Sequence, residues 1–175
     1  MRRYHYIRIW RTETEARYSR DEQTKRDRNL LSYCDMRSSG AIMRSVAGVL
    51  TALEFLAQKV AKRAGIDVSV RGDAGVRLPA AVETALYRIV QEAFNNAIRH
   101  AAARSVRIEL QCTPYTVKCS VCDDGRGFDA NRPPHTQGLG LIGIRERVSA
   151  LGGSLRLVTE PLNGTTIQTE IPLGG

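Results

Sequence analysis

Apolar residues in the second half of the chain keep two rhythms, the 3.6-residue period of a helix and the two-residue period of a strand. Val82, Leu86, Ile89, Val90, Ala93, Ala97 and Ile98 recur three or four apart and predict an amphipathic helix running on from Pro79. Proline is tolerated in a first helical turn because its missing N–H would be unpaired there anyway. Val106, Ile108 and Leu110, then Val117, Cys119 and Val121, alternate with polar residues on either side of Thr113-Pro114-Tyr115, the pattern of a β-hairpin. A glycine-rich stretch from Gly138 opens a second amphipathic helix that ends at Leu151-Gly152-Gly153. Residues 154–159 and 165–171 predict a closing hairpin around Pro161-Leu162-Asn163-Gly164, and residues 66–70 an edge strand. Upstream, Val46, Val49, Leu50, Leu53, Phe55, Leu56 and Val60 predict an amphipathic helix over residues 41–64 that packs against the domain.

Residues 1–40 have a different character, dense in arginine and poor in apolar periodicity. They form a basic arm for which three states stay open: a short helix near residues 12–31, a disordered arm, or a segment foreign to the domain. The arm contributes to a net charge of +8, which raises the question of nucleic acid. No helix-turn-helix, zinc-finger or RNA-binding pattern accompanies the charge and aromatics are few, so no specific nucleic-acid partner is expected. The excess is assigned to a solvated surface with some attraction for an anionic ligand and for acidic protein surfaces. No apolar run is long enough to span a bilayer and no secretory signal is present, so no membrane contact and a cytoplasmic location are expected. Cys119 and Cys122 are three apart within a strand and so face opposite ways. With Cys34 and Cys112 they are expected to be reduced thiols, not metal ligands. His135 is read as a solvent-exposed loop residue.

Three short motifs change the picture. On the helix after Pro79, Arg88, Glu92, Asn96 and Arg99 share one face, with His100 at its edge. Arg88 and Glu92 alone suggest an ordinary surface ion pair. Asn95 and Asn96, however, are poor helix-interior residues. An amide oxygen one turn from a carboxylate can ligate Mg²⁺ alongside substrate phosphates, and the carboxylate can act as general base. After the hairpin comes Asp123-Asp124-Gly125-Arg126-Gly127-Phe128. Glycine there lets a flat ligand approach the backbone, and a carboxylate at the mouth of the turn can accept from an exocyclic amine. Gly138-Leu139-Gly140-Leu141 then places backbone N–H groups at a helix start, a site for phosphate. The Rossmann and Walker alternatives fail, the first because the glycines follow a hairpin, the second because no Gly-Lys-Ser/Thr is present.

In this order and wording the motifs resemble the GHKL ATPase superfamily, and within it the ATP-binding domain of NarL/DesK-type sensor histidine kinases. The resemblance rests on residues 86–93 with Asn96 and His100-Ala101, on Asp123 to Phe128, on Gly138 to Leu141, and on Arg145-Glu146-Arg147-Val148 with Leu151-Gly152-Gly153. It implies an α/β two-layer sandwich, the Bergerat ATP-binding fold, in which helices cover one face of a mixed sheet over residues 65–175. It also implies ATP and Mg²⁺ as cofactors. Glu92 matches the family's general base and Asn96 its Mg²⁺ ligand. Asp123 matches the carboxylate that meets the adenine amino group, with Gly125 and Gly127 shaping the floor. Gly138, Leu139 and Gly140 match the turn over the phosphates, at the end of a short lid over residues 129–137. Arg99 and His100 lie where phosphate contacts are common, and Thr165 matches a position supporting the adenine site.

The activity so implied is transfer of the γ-phosphoryl group to a histidine on a separate dimerisation domain, and from there to a response regulator. Those two are the expected partners, and full-length relatives are often membrane-anchored. The chain shows no matching phosphoacceptor, since His5 lacks an acidic neighbour. This keeps two alternatives in view: a stand-alone GHKL serine kinase of the anti-sigma-factor type, and a nucleotide-sensing module without kinase activity.

Overall fold

The computed structural model describes residues 4–9, 48–73, 77–129 and 139–174. Strand β1 (Tyr4–Ile9) is followed by helix α1 (Gly48–Ala64), β2 (Asp67–Asp73) and α2 (Ala80–Asn96). A π-helical turn (Ala97–Ala101) then leads into β3 (Ser105–Cys112), β4 (Thr116–Asp123), α3 (Leu139–Ser149), β5 (Ser154–Thr159) and β6 (Thr165–Pro172).

The strands form one mixed six-stranded sheet in the order β1-β2-β3-β4-β6-β5. Only β2 and β3 run parallel; the other neighbours are antiparallel. The alternation that predicted the hairpin is obeyed: Val106, Ile108, Leu110, Val117, Cys119 and Val121 are all buried on one face. Val68, Val70, Ile167 and Ile171 extend that face, and Leu53, Leu56, Leu86, Ile89, Phe94 and Ile144 of the helices close over it. The other face is polar, crossed by exposed pairs such as Lys118 and Glu170 at 3.1 Å. The result is the expected two-layer sandwich, with helices on one side of the sheet.

Two expectations need correction. The strand expected at the edge over residues 66–70 lies inside the sheet, because β1 pairs with it from Tyr4↔Asp73 to Ile9↔Val68. Local periodicity reports which face of a strand is buried, not which distant segment lies beside it. The aromatic and β-branched residues of Tyr4-His5-Tyr6-Ile7-Arg8-Ile9 carry the strand propensity, so a short part of the basic arm is strand. Second, Phe55 is not part of the packed face of α1. Buried Val49, Leu53, Leu56 and Val60 repeat along one side. Phe55 lies about 200° around the helix from Leu53, where it is 40% exposed with the Lys59 ammonium 4.5 Å from its ring centre. Val46, Cys34, the stretch 12–31 and most of the lid, with His135 and Gly138, lie outside the described residues.

Helix α1 fits closely onto the sheet where β2 has no side chain. A β-carbon at Gly72 would stand 2.9 Å from Leu50 Cδ1 and 3.1 Å from Leu110 Cβ. Helix α2 lies between α1 and α3, packed against both.

Candidate functional site

Pro79 stands at the N-cap of α2, one position before the first turn in which it was expected. Its carbonyl accepts from the N–H groups of Val82 and Glu83 at 2.9 and 3.0 Å. The apolar stripe is buried as far as Ala97, which turns Glu92 and Asn96 half outward, one turn apart on the same side. Arg88 does not pair with Glu92: its guanidinium donates to the Gln91 amide oxygen at 3.0 Å. Among the described residues no donor or cation engages the Glu92 carboxylate. It faces α3 instead, where a β-carbon on Gly140 would overlap Glu92 Oε1 and stand 2.8 Å from Cδ.

Just past Asn96 the helix widens into the π-turn that carries Arg99 and His100, both exposed. π-turns are rare and gather at functional sites. This one ends at Ala102, in the left-handed conformation at φ 49°, with the Ala103 N–H returning to the Ala97 carbonyl at 3.2 Å. At the end of the turn the Ala101 carbonyl has no donor within the helix and accepts from the Arg126 N–H at 2.8 Å. That hydrogen bond joins the Asn-bearing helix to the glycine turn, two motifs that are separate in the sequence.

Asp123 closes β4. Its Oδ1 accepts from the Gly125 N–H at 2.9 Å, and the Thr165 backbone, its cross-strand partner on β6, lies near the same carboxylate. Burial pushes the Asp123 carboxyl above its ordinary value, with the Asp124 charge adding to the rise against the lowering effect of the Gly125 and Thr165 backbone groups. Asp124, its neighbour, plays a different part. Its Oδ1 accepts from the N–H groups of Arg104 and Ser105 at 2.7 and 2.8 Å, and Oδ2 from the Ser105 hydroxyl at 2.9 Å. Partial burial would raise this carboxyl, but the backbone and hydroxyl donors together outweigh it and hold the group below the usual range. Asp124 thus clamps the start of β3, leaving Asp123 to face the site.

The glycines are fixed by contact. Gly125 lies against Ala101: a β-carbon there would overlap Ala101 Cβ and stand 2.6 Å from its carbonyl oxygen. Gly127 has φ +56° and no room for a side chain beside the Glu160 carbonyl. From the β5–β6 turn, the Leu162 N–H donates to the Arg126 carbonyl at 2.7 Å. Thr159, at the end of β5 and 7% exposed, accepts from the Phe128 N–H at 3.1 Å and lies 3.3 Å from the Thr165 hydroxyl. Neither Thr159 nor Asp124 was singled out from the sequence. The one signal for Thr159 is a hydroxyl ending a strand beside a turn; for Asp124 there is none, because either carboxylate of an Asp-Asp pair can face a ligand.

The structure therefore brings Glu92, Asn96 and Gly140 to one side of the site, and Asp123, Gly125, Gly127 and Thr165 to the other, with exposed Arg99 and His100 on the π-turn. Leu139 opens α3. Among the described residues no three His, Cys, Asp or Glu side chains converge on a metal position. The oxygen donors at Glu92 and Asn96 suit a hard cation that takes its remaining ligands from phosphates and water. Cys119 is buried, its thiol pushed up to about 12 by desolvation and by nearby Cys112. Cys122 lies half-buried on the opposite face, so the C-x-x-C pair does not converge.

The sequence matches the family described as histidine kinase-, DNA gyrase B-, and HSP90-like ATPase over residues 81–175. The chain belongs to that ATPase family, and membership implies that it binds ATP. DegS of Brevibacillus brevis, a signal transduction histidine-protein kinase/phosphatase, is 45% identical over 101 residues. That match bears out the resemblance to NarL/DesK-type sensor kinases. The aligned part is 57% of this chain and 25% of DegS, so the match spans a quarter of that relative's length. The histidine kinase domain of the Erythrobacter litoralis EL346 blue-light activated histidine kinase superposes with TM-score 0.60 at 25% identity, covering 91% of this chain and 77% of that one. The Acinetobacter baumannii histidine kinase AdeS, at 18% identity, TM-score 0.55 and coverage of 73% and 62%, shares the fold. No helix among the described residues is long and apolar enough to cross a membrane.

Proposed function

We propose that this chain is the ATP-binding catalytic unit of a two-component sensor histidine kinase. It binds Mg·ATP and passes the γ-phosphoryl group to a histidine on a separate dimerisation domain, from which a response regulator takes it. The observation that carries this reading is the placement of Glu92 and Asn96 one turn apart on α2, with Gly140 of α3 against a Glu92 carboxylate that no described residue engages.

In this reading Asp123 accepts a hydrogen bond from the adenine amino group, over a floor shaped by Gly125 and Gly127. Gly138, Leu139 and Gly140 close over the phosphates, and Arg99 and His100 reach them from the π-turn. The Asn96 amide oxygen would hold a magnesium ion, which would supply charge neutralisation at the phosphates. Glu92 accepts the imidazole proton as the ring nitrogen bonds to the γ-phosphorus and the bond to the bridging oxygen of the leaving ADP breaks. Most of the rate then comes from positioning and charge stabilisation.

The test is incubation with γ-labelled ATP and an added dimerisation domain bearing its phosphoacceptor histidine. Label that is stable to alkali and lost in acid is phosphohistidine and supports the reading. Acid-stable label on a serine of an added partner would support the anti-sigma-type alternative, and ATP binding without transfer to any partner the sensing module.

A further inference from the structure

Thr159 is the side chain that, alongside the Leu162–Arg126 backbone hydrogen bond, joins the glycine turn to the β5–β6 turn, and it has no part in the roles assigned above. A hydroxyl offers one donor and two acceptor lone pairs. At Thr159 the nearest carbonyl is that of Gly164, at 3.1 Å, with the Phe128 carbonyl farther at 3.4 Å. The Thr159 hydroxyl therefore donates to Gly164. The Phe128 N–H, at 3.1 Å, fills one lone pair. The Thr165 hydroxyl lies 3.3 Å away, and with the Thr159 proton given to Gly164 it can donate to the second lone pair.

This balance has a consequence at Thr165. With its hydroxyl proton directed to Thr159, the Thr165 oxygen presents acceptor capacity beside Asp123, its cross-strand partner. Asp123 as carboxylate also only accepts. Gly164, held from below by Thr159, is itself pressed on Asp123: its φ is +72° and a β-carbon there would stand 3.0 Å from Asp123 C. One buried hydroxyl thus fixes the height of Asp123, the hydrogen-bonding sense of Thr165, and the end of the glycine turn at Phe128.

We infer that Thr159 is a positioning residue for base selection: it makes this side of the site an all-acceptor wall that favours a purine amino group and disfavours a carbonyl at the same position. The inference rests on the proposed reading of Asp123 as the adenine contact.

The test compares binding of ATP and of inosine triphosphate, which carries a carbonyl in place of the amino group, to the full chain with Mg²⁺. Thr159→Val, Thr159→Ala and Thr159→Ser are measured beside the unmodified protein, each with a thermal melt. The unmodified protein and Thr159→Ser should prefer ATP. Thr159→Val and Thr159→Ala should lose about tenfold of that preference, the scale of one hydrogen bond to a charged group. Running both hydroxyl-free variants keeps the test decisive if one fails to fold. An undiminished preference in either folded hydroxyl-free variant, even with weaker binding of both nucleotides, would make Thr159 a stability residue and overturn the inference. No preference in the unmodified protein would instead overturn the reading of Asp123 on which it stands.

Discussion

Gly140 and Glu92 are in contact across two helices: the first turn of α3 passes so close to the Glu92 carboxylate that no β-carbon fits between them. The candidate base and the helix start expected over the phosphates are therefore set against each other by a glycine. Gly140→Ala must push α3 away or turn Glu92 aside. A displacement of about 1 Å at a reacting group can cost on the order of a hundredfold in rate, so phosphotransfer in this variant should fall by about that factor. Assays with γ-labelled ATP and an added dimerisation domain check this; an unchanged rate would mean that Glu92 does not act where it lies.

Asp123 gives the site a pH dependence of known sign. Burial raises its carboxyl above 3.8, so on acidification it takes up a proton before an ordinary aspartate does and can no longer only accept. The ratio of ATP to inosine triphosphate affinity, which cancels protonation of the phosphates, should fall as pH drops through that raised value. For stability the sign is reversed. The folded state binds the proton more tightly than the unfolded state, so this group's contribution falls as pH rises from 3.8 to its folded value. A titration of the affinity ratio against pH checks the first part, and a flat profile would remove Asp123 from base recognition.

Asp124 works in the opposite direction. Its carboxyl is held below 3.8 by donors from Arg104 and Ser105, so the stability it contributes is present above the ordinary value and lost as pH falls through the folded one. Asp124→Ala should destabilise the chain by about 1 kcal/mol, the lower part of the range for charged hydrogen bonds because solvent reaches the group. Urea unfolding at neutral pH measures it.

Leu162 has φ 70° and is 86% exposed, so it carries left-handed strain without packing in return. A left-handed conformation costs a side-chain-bearing residue roughly 1–2 kcal/mol. Leu162→Gly should therefore raise stability by about 0.5–1 kcal/mol after allowance for the greater freedom of glycine in the unfolded chain. Thermal unfolding decides it, and a lower melting temperature would show that Leu162 makes a contact in the folded chain that outweighs the strain.

Much of the fold was visible in the sequence because its signals are local. The stripe from Val82 to Ala97 and the alternation from Val106 to Val121 each fix one buried face, and the structure buries those residues. The candidate site was legible through motif order, which grouped Glu92, Asn96, Asp123 and the glycines before any geometry. What escaped was set by tertiary contact. The residues Ala97-Ile98-Arg99-His100-Ala101 keep an ordinary helical rhythm, and their π-turn goes with the Arg126 N–H that meets the Ala101 carbonyl. The pairing of Tyr4–Ile9 with β2 joins segments far apart in the chain. The division of labour between Asp123 and Asp124 depends on which way a strand end points. The four-way position of Thr159 depends on two turns meeting.

The most direct test of the central claim is calorimetric titration of ATP and ADP into this chain, with and without Mg²⁺, beside the Asp123→Asn variant. The account expects binding by the unmodified chain, tighter ATP binding with Mg²⁺, and a loss of about tenfold or more in the variant, the scale of a hydrogen bond to a charged acceptor. Equal binding by Asp123→Asn, or no binding by the unmodified chain under either condition, would contradict it.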